Sequence, residues 1–240
     1  GLLHGVMMAM KMEPTSPAAK SSGKVRILVV DDHPLARAGV SQWINRQPDM
    51  MVCAQADTVE SADAELTRQR PDLLLLDLWL GAGDTLEFIK LTRARWPQVA
   101  IVVLSQHDET LYAERALRAG ARGYVMKQES SEDILNAIRT VMGGDLYLSR
   151  RMTPLLLRRL LTADTDASGT LACLSDRELH VFQLLGAGLS SRQIAEELKL
   201  SIKTVETHRE NIKHKLRIPN AAELVKQASA WVLRRLEVPR

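Results

Sequence analysis

Residues 26–37 read RILVVDDHPLAR. A short apolar run, 25–30, breaks off into two aspartates, Asp31 and Asp32, and a helix-like stretch follows over 34–46. The same grammar repeats downstream. Apolar runs occupy 51–54, 73–76, 99–104 and 123–126, and amphipathic stretches occupy 59–69, 84–95, 109–119 and 131–142. In the last of these, Ile134, Leu135, Ile138, Val141 and Met142 fall on one helical face. Strands that are apolar throughout and alternate with helices predict a parallel sheet covered on both faces. Five such units in about 120 residues suit an α/β doubly wound, five-stranded, flavodoxin-like fold.

Outward from this block the chain changes character. Residues 1–23 carry Pro14, Pro17, Ser21, Ser22 and Gly23 without periodicity and read as a disordered leader or tail. Gly143 and Gly144 end the last helix of the block. Residues 144–170 form a linker, with a short helix expected around 149–161 and a polar stretch over 162–170. From Leu174 the pattern is all-helical: a helix opened by a Ser175/Glu178 capping box and running to about Leu185, a short one over 191–198, a longer one over 202–216 behind Ser201, and a last one over 221–236. The expected domains are therefore 24–143 and 171–240.

Charge divides along the same boundary. Residues 24–142 hold 14 Lys/Arg against 17 Asp/Glu, whereas residues 171–240 hold 12 against 8. An acidic half and a basic half imply different partners, nucleic acid being the natural one for the second. No apolar run reaches the roughly 18–20 residues that span a bilayer, and residues 1–12 lack the order of a signal peptide, so a cytoplasmic location with no membrane partner is expected. Cys53 and Cys173 stand far apart without ligand neighbours, which argues against a disulfide or a zinc site; both are read as small core hydrophobes.

Ligands of open α/β sheets bind at the carboxyl ends of strands. Those ends here carry Asp31 and Asp32, Asp77, Ser105 and Lys127. Three carboxylates, a hydroxyl and an ammonium on one sheet edge make a magnesium-assisted phosphoryl acceptor. Asp77 is the nucleophile, Mg²⁺ relieves repulsion among the carboxylates, Lys127 adds a point charge, and Ser105 can donate to a phosphoryl oxygen.

The segments RILVVDDHPLAR, PDLLLLDL, IVVLS and ARGYVMK resemble the receivers of bacterial two-component response regulators. The resemblance implies phosphotransfer from a sensor histidine kinase to Asp77. It also implies Mg²⁺ held by Asp32, Asp77 and the main-chain carbonyl of Trp79, with Asp31 acting through water, and a switch formed by Ser105, Tyr124 and Lys127. The loop after Asp77 departs from the family pattern, with Gly81 where a proline is usual and Thr85 where a late glycine is usual. Trp79 and His107 are placed to flank a phosphoryl group.

The second half contains a short helix, a tight turn and a longer helix, the helix-turn-helix order. The stretch LSDRELHVFQLLGAGLSSRQIAEELKLSIKTVETHRENIKHKL closely resembles the LuxR-type domain of NarL/FixJ regulators. That resemblance makes 202–216 the recognition helix in the major groove. By their chemistry, Lys203, Thr204, Arg209 and Lys213 are candidates for phosphate contacts. Glu206, Thr207 and Glu210 face the groove, where Glu can accept from cytosine N4 and Thr can pack on a thymine methyl. His208 packs at the border of the helix, and the last helix is expected to pair two copies on double-stranded DNA. Two other readings stay open: a magnesium phosphatase using Asp77, and a constitutive DNA-binding protein with a structural receiver.

Overall fold

The computed structural model describes residues 23–81, 83–106, 109–150, 152–154, 171 and 173–236. The first part is a parallel sheet of β1 (Val25–Val30), β2 (Met50–Ala56), β3 (Leu73–Asp77), β4 (Ala100–Ser105) and β5 (Gly123–Met126) in the order β2-β1-β3-β4-β5. Helices α1 (Pro34–Asn45), α2 (Val59–Gln69), α3 (Thr85–Arg95), α4 (Glu109–Ala119) and α5 (Ser131–Met142) connect and cover it.

Alternation along each strand sends side chains into two separate cores. Ile27, Val29, Leu73, Leu75, Val102, Leu104 and Val125 pack with α1 and α5. Leu28, Val30, Leu74, Leu76, Ile101, Val103 and Tyr124 pack with α2, α3 and α4. Both sets are apolar, which is why the strands read as continuous runs. β2 is longer than its apolar run because it is an edge strand, where Gln55 is exposed. On the opposite edge the chain returns after α5. Tyr147 donates to the Arg122 carbonyl at 3.0 Å, its own carbonyl accepts from Tyr124 at 3.2 Å, and the last strand is thereby covered.

The helices start where their caps dictate. Thr58 caps α2, Asp84 caps α3 and Ser130 caps α5, each by accepting from a main-chain N–H in the first turn. Gly144, at φ +98°, takes the left-handed turn after α5.

The second part holds α6 (Asp176–Gly186), α7 (Ser191–Glu197), α8 (Ile202–Leu216) and α9 (Ala221–Leu236). Ser175/Glu178 and Ser190/Gln193 are capping boxes, and Ser201 caps α8. Gly186 lets α9 approach α6 closely, since a Cβ there would stand 2.4 Å from the Ala228 carbonyl oxygen.

The cysteines correct the sequence reading. Cys173 is exposed, and Cys53 is only half-buried because it lies on the edge strand. Of the helix expected around 149–161, Met152 is helical and fully buried, and residues 155–161 lie outside the described residues. The leader (1–22), the polar stretch 162–170 and His107 also lie outside them.

Candidate functional site

The strand order reverses between β1 and β3, and Asp31, Asp32 and Asp77 sit at the carboxyl ends of those two strands. Lys127, just past β5, reaches back so that its Nζ lies 2.7 Å from Asp31 Oδ2 and 2.7 Å from Asp77 Oδ2. The main chain holds the same group. The Trp79 N–H donates to Asp77 Oδ1 at 3.2 Å, and the His33 N–H donates to Asp31 Oδ1 at 2.8 Å. Ser105 is fully buried at the end of β4, and its carbonyl accepts from the Lys127 N–H at 2.7 Å. Tyr124 is fully buried on β5, one core away from solvent.

Burial sets the electrostatics. It pushes the Asp77 carboxyl up to about 6, against the pull of Lys127, and the Asp31 charge adds to the rise. Burial works against the Lys127 ammonium, but Asp77 and Asp31 outweigh it and hold the group above its ordinary value. Asp31 and Asp77 thus share the one Lys127 ammonium, while Asp32 meets the His33 ring instead.

Oxygen donors at this density suit a hard divalent cation. One ligand atom each from Asp31, Asp32, His33 and Asp77 all lie within 4.8 Å of one another. The Asp32 Oδ1 atom is buried without a hydrogen bond, although the His33 ring nitrogen is 2.8 Å away. That orphaned acceptor fits a cation-binding role. His33 escaped the sequence reading; the signal was its place in the Asp31-Asp32-His33 run.

The candidate DNA-contacting residues lie along α8. Lys203, Glu206, Thr207 and Glu210 are exposed on its outer face, and Val205 and Ile212 are buried on its inner face. Arg209 and Lys213 are less free than expected. Arg209 donates to Ser191 Oγ at 2.6 Å and pairs with Glu206 at 3.3 Å. Lys213 pairs with Glu210 at 2.8 Å. Thr204 is engaged in the helix cap, 2.7 Å from Ser201 Oγ, and the Thr207 hydroxyl donates to the Lys203 carbonyl. His208 packs at the border, where burial lowers its pKa, and its Nδ1 makes no hydrogen bond.

The two parts are docked on each other, which nothing in the sequence foretold. Trp79 packs edge-on to Tyr112 of α4 (5.4 Å between centroids) and lies 4.7 Å from the His180 ring of α6. The Arg177 guanidinium sits over the Trp79 ring at 4.9 Å. Around this stack the Tyr112 hydroxyl donates to Gln183 Oε1 at 2.7 Å, and Arg115 pairs with Asp176 at 2.8 Å and donates to the Leu174 carbonyl. On the far side of the pocket Lys199 Nζ meets His33 Nε2 at 3.2 Å.

Residues 27–139 match the response regulator receiver domain, and residues 172–228 match the bacterial regulatory proteins of the luxR family. The oxygen regulatory protein NreC of Staphylococcus carnosus is 35% identical over 211 residues, covering 85% of this chain and 96% of that protein. A LuxR-family two-component response regulator from Aurantimonas has the same fold, with a TM-score of 0.55 and 27% identity over 58% of this chain and 99% of that one. The RcsB protein of Salmonella enterica, solved bound to a promoter in the presence of the phosphomimetic BeF3⁻, superposes over 88% of this chain and all of its own, with a TM-score of 0.54 and 22% identity. Among the described residues no helix is long and apolar enough to cross a membrane. With the matching receiver, the matching DNA-binding domain and a relative aligned along almost its whole length, the chain belongs to the NarL/FixJ-type two-component response regulators, which regulate transcription.

Proposed function

We propose that this regulator accepts a phosphoryl group on Asp77 from a sensor histidine kinase and, so modified, binds promoter DNA as a homodimer. The observation that carries the reading is the bridge from Lys127 to Asp31 and Asp77, 2.7 Å to each, at the point where the strand order reverses. An Asp77 oxygen attacks the donor phosphorus, the donor's leaving group departs, and the acyl phosphate remains on the carboxylate. Lys127 and the Ser105 hydroxyl stabilise the charge of the phosphoryl oxygens. Asp32, Asp77 and the main-chain carbonyl of Trp79 would hold Mg²⁺, with Asp31 acting through water, and the ion supplies neutralising charge for the transfer. Ser105, Tyr124 and Lys127 report the modification.

The chain is a stoichiometric acceptor rather than an enzyme of turnover. The open cleft of about 530 Å³ beside the pocket is lined by Asp32, Asp57 and Glu60, with no basic side chain among its described residues to hold a phosphate ester for turnover. Lys203, Thr204, Arg209 and Lys213 position the DNA backbone, and Glu206, Thr207 and Glu210 read the groove. The last helix leaves Val225 and Leu233 exposed, which supports pairing of two copies there. The domains run over 24–143 and 171–240, and the protein is cytoplasmic.

The test compares the parent with Asp77→Ala, incubated with Mg²⁺ and a small phosphodonor. One phosphoryl per parent chain by intact mass, none on Asp77→Ala, and tighter DNA binding only by the labelled parent are expected. An unlabelled parent beside a labelled control receiver would overturn the reading.

A further inference from the structure

Recognition helices read bases with their N-terminal turns. In α8 those turns expose Ile202, Glu206, Thr207 and Glu210 beside Lys203, which the reading above gives to the DNA backbone. None of the four offers a base a hydrogen-bond donor. An ionised glutamate only accepts. The Thr207 hydroxyl is committed to the Lys203 carbonyl at 3.0 Å, so its methyl is the group left for the groove. Ile202 is apolar and 47% exposed in the first turn, a large side chain that the core does not take in. Spacing of four residues sets Ile202, Glu206 and Glu210 on one ridge of the helix. The acids are also prepared for an anionic partner. Glu206 pairs with Arg209 at 3.3 Å and Glu210 with Lys213 at 2.8 Å, so each stands as half of a neutral pair. A carboxylate accepts at two oxygens, and an ion pair through one leaves acceptor capacity for a base.

We infer that α8 selects a pyrimidine tract on one DNA strand, Glu206 and Glu210 each accepting from a cytosine N4 amino group, and Ile202 and Thr207 each packing on a thymine C5-methyl. The inference rests on the DNA-binding reading and deepens it. A face without donors excludes guanine, whose groove edge is the acceptor pair O6 and N7. It disfavours adenine, whose one donor lies beside the N7 acceptor, where a second carboxylate oxygen is repelled. Cytosine offers a donor without that neighbour, and thymine offers a methyl. From Ile202 to Glu210 the helix rises about 12 Å, at about 1.5 Å per residue, which covers about four bases of one strand.

The experiment selects sites from random duplex DNA with the full chain, treated with Mg²⁺ and a small phosphodonor. Affinity is then measured for the selected duplex with single bases altered. Each selected half-site should hold a cytosine and thymine tract of about four bases. N4-methylcytosine, in which a methyl takes the place of the groove-facing N–H, should weaken binding by the parent about tenfold at each of two positions. One of these losses should vanish in Glu206→Gln and the other in Glu210→Gln. Deoxyuridine in place of thymidine removes only the C5-methyl and should weaken the parent about fourfold at each of two positions. One of those losses should vanish in Ile202→Ala and the other in Thr207→Ser. All four side chains are exposed, and the altered bases change the DNA while the parent chain stays as it is, so the test does not depend on a variant's folding. Three results overturn the inference: a selected half-site without the tract, altered-base losses that are the same in parent and variants, or variants that lose affinity equally on every sequence. A sequence selected by a parent that takes up no phosphoryl group overturns the phosphoacceptor reading only. A parent that selects no sequence overturns the DNA-binding reading and the inference together.

Discussion

The acceptor pocket and the recognition helix are both built from charged residues, yet they differ in what each charge depends on. In the pocket Asp31, Asp77 and Lys127 are buried and each is held by the others. On α8 Lys203, Glu206 and Glu210 are exposed, and the two acids pair with Arg209 and Lys213, each one turn along the same helix. Buried charges without partners are costly, whereas exposed pairs contribute little. Charge in the pocket is therefore a folding constraint as well as a reagent, and on the helix it is a reagent alone.

The contrast breaks most easily at Lys127. Lys127→Met leaves Asp31 and Asp77 buried without their cation and should cost about 3 kcal/mol in urea unfolding. Added Mg²⁺ should restore part of that loss in the same titration, and a loss under about 1 kcal/mol would place the pocket with the helix.

The docking interface holds a second buried acid. Burial pushes Asp176 up to about 6 despite Arg115, with Asp84 adding to the rise and Lys90 opposing it. These three groups belong to the receiver, so a released domain returns Asp176 toward its ordinary 3.8. The docked state then binds the proton more tightly. Its advantage is complete below the ordinary value and is lost as pH rises through about 6. Scattering should show more docked chain at pH 5 than at pH 7.5, by about 1.4 kcal/mol. Asp176→Asn should flatten that profile; a parent profile that is already flat sinks the assignment.

Arg209 is the intermediate case, tied to α7 through Ser191. Arg209→Ala should cost about 1 kcal/mol of thermal stability and weaken DNA binding alike on every sequence, with a shallower salt dependence. Glu206→Ala should change stability by less than about 0.5 kcal/mol while relaxing sequence preference in a selection from random DNA. A large stability loss there would show that this face is structural.

What the sequence displays and what it hides follow the same division. The strands are legible because burial on both faces makes them apolar throughout, and the pocket is legible because Asp31, Asp32, Asp77, Ser105 and Lys127 all stand at strand ends. Ser175, Ser190 and Ser201 announce their helices for a local reason, since a cap is a contact between residues three apart. Docking is hidden because its residues already have an adequate local explanation. Asp176 is an acid in the first turn of a helix, where acids are favoured anyway, and Arg177 and His180 look like its solvated face. Trp79 was legible as a neighbour of the phosphoryl group, but not as the point where a second domain arrives. Cys173 shows the limit of residue type as a guide, since a cysteine is apolar enough for a core and small enough for a surface.

One hydrophobic cluster runs from Leu28 and Leu76 of the receiver through Tyr112 to Phe182, Ile212 and Trp231 of the DNA-binding domain. Two bodies that share packing share a melting transition. Docked, the chain should show one calorimetric endotherm that includes both domains, and its heat should exceed that of either domain alone. Once released, the smaller helical body loses the neighbours of its first helix and melts separately at a lower temperature. The count of endotherms is thus a direct reading of whether the regulator is open or closed, made without DNA, kinase or label.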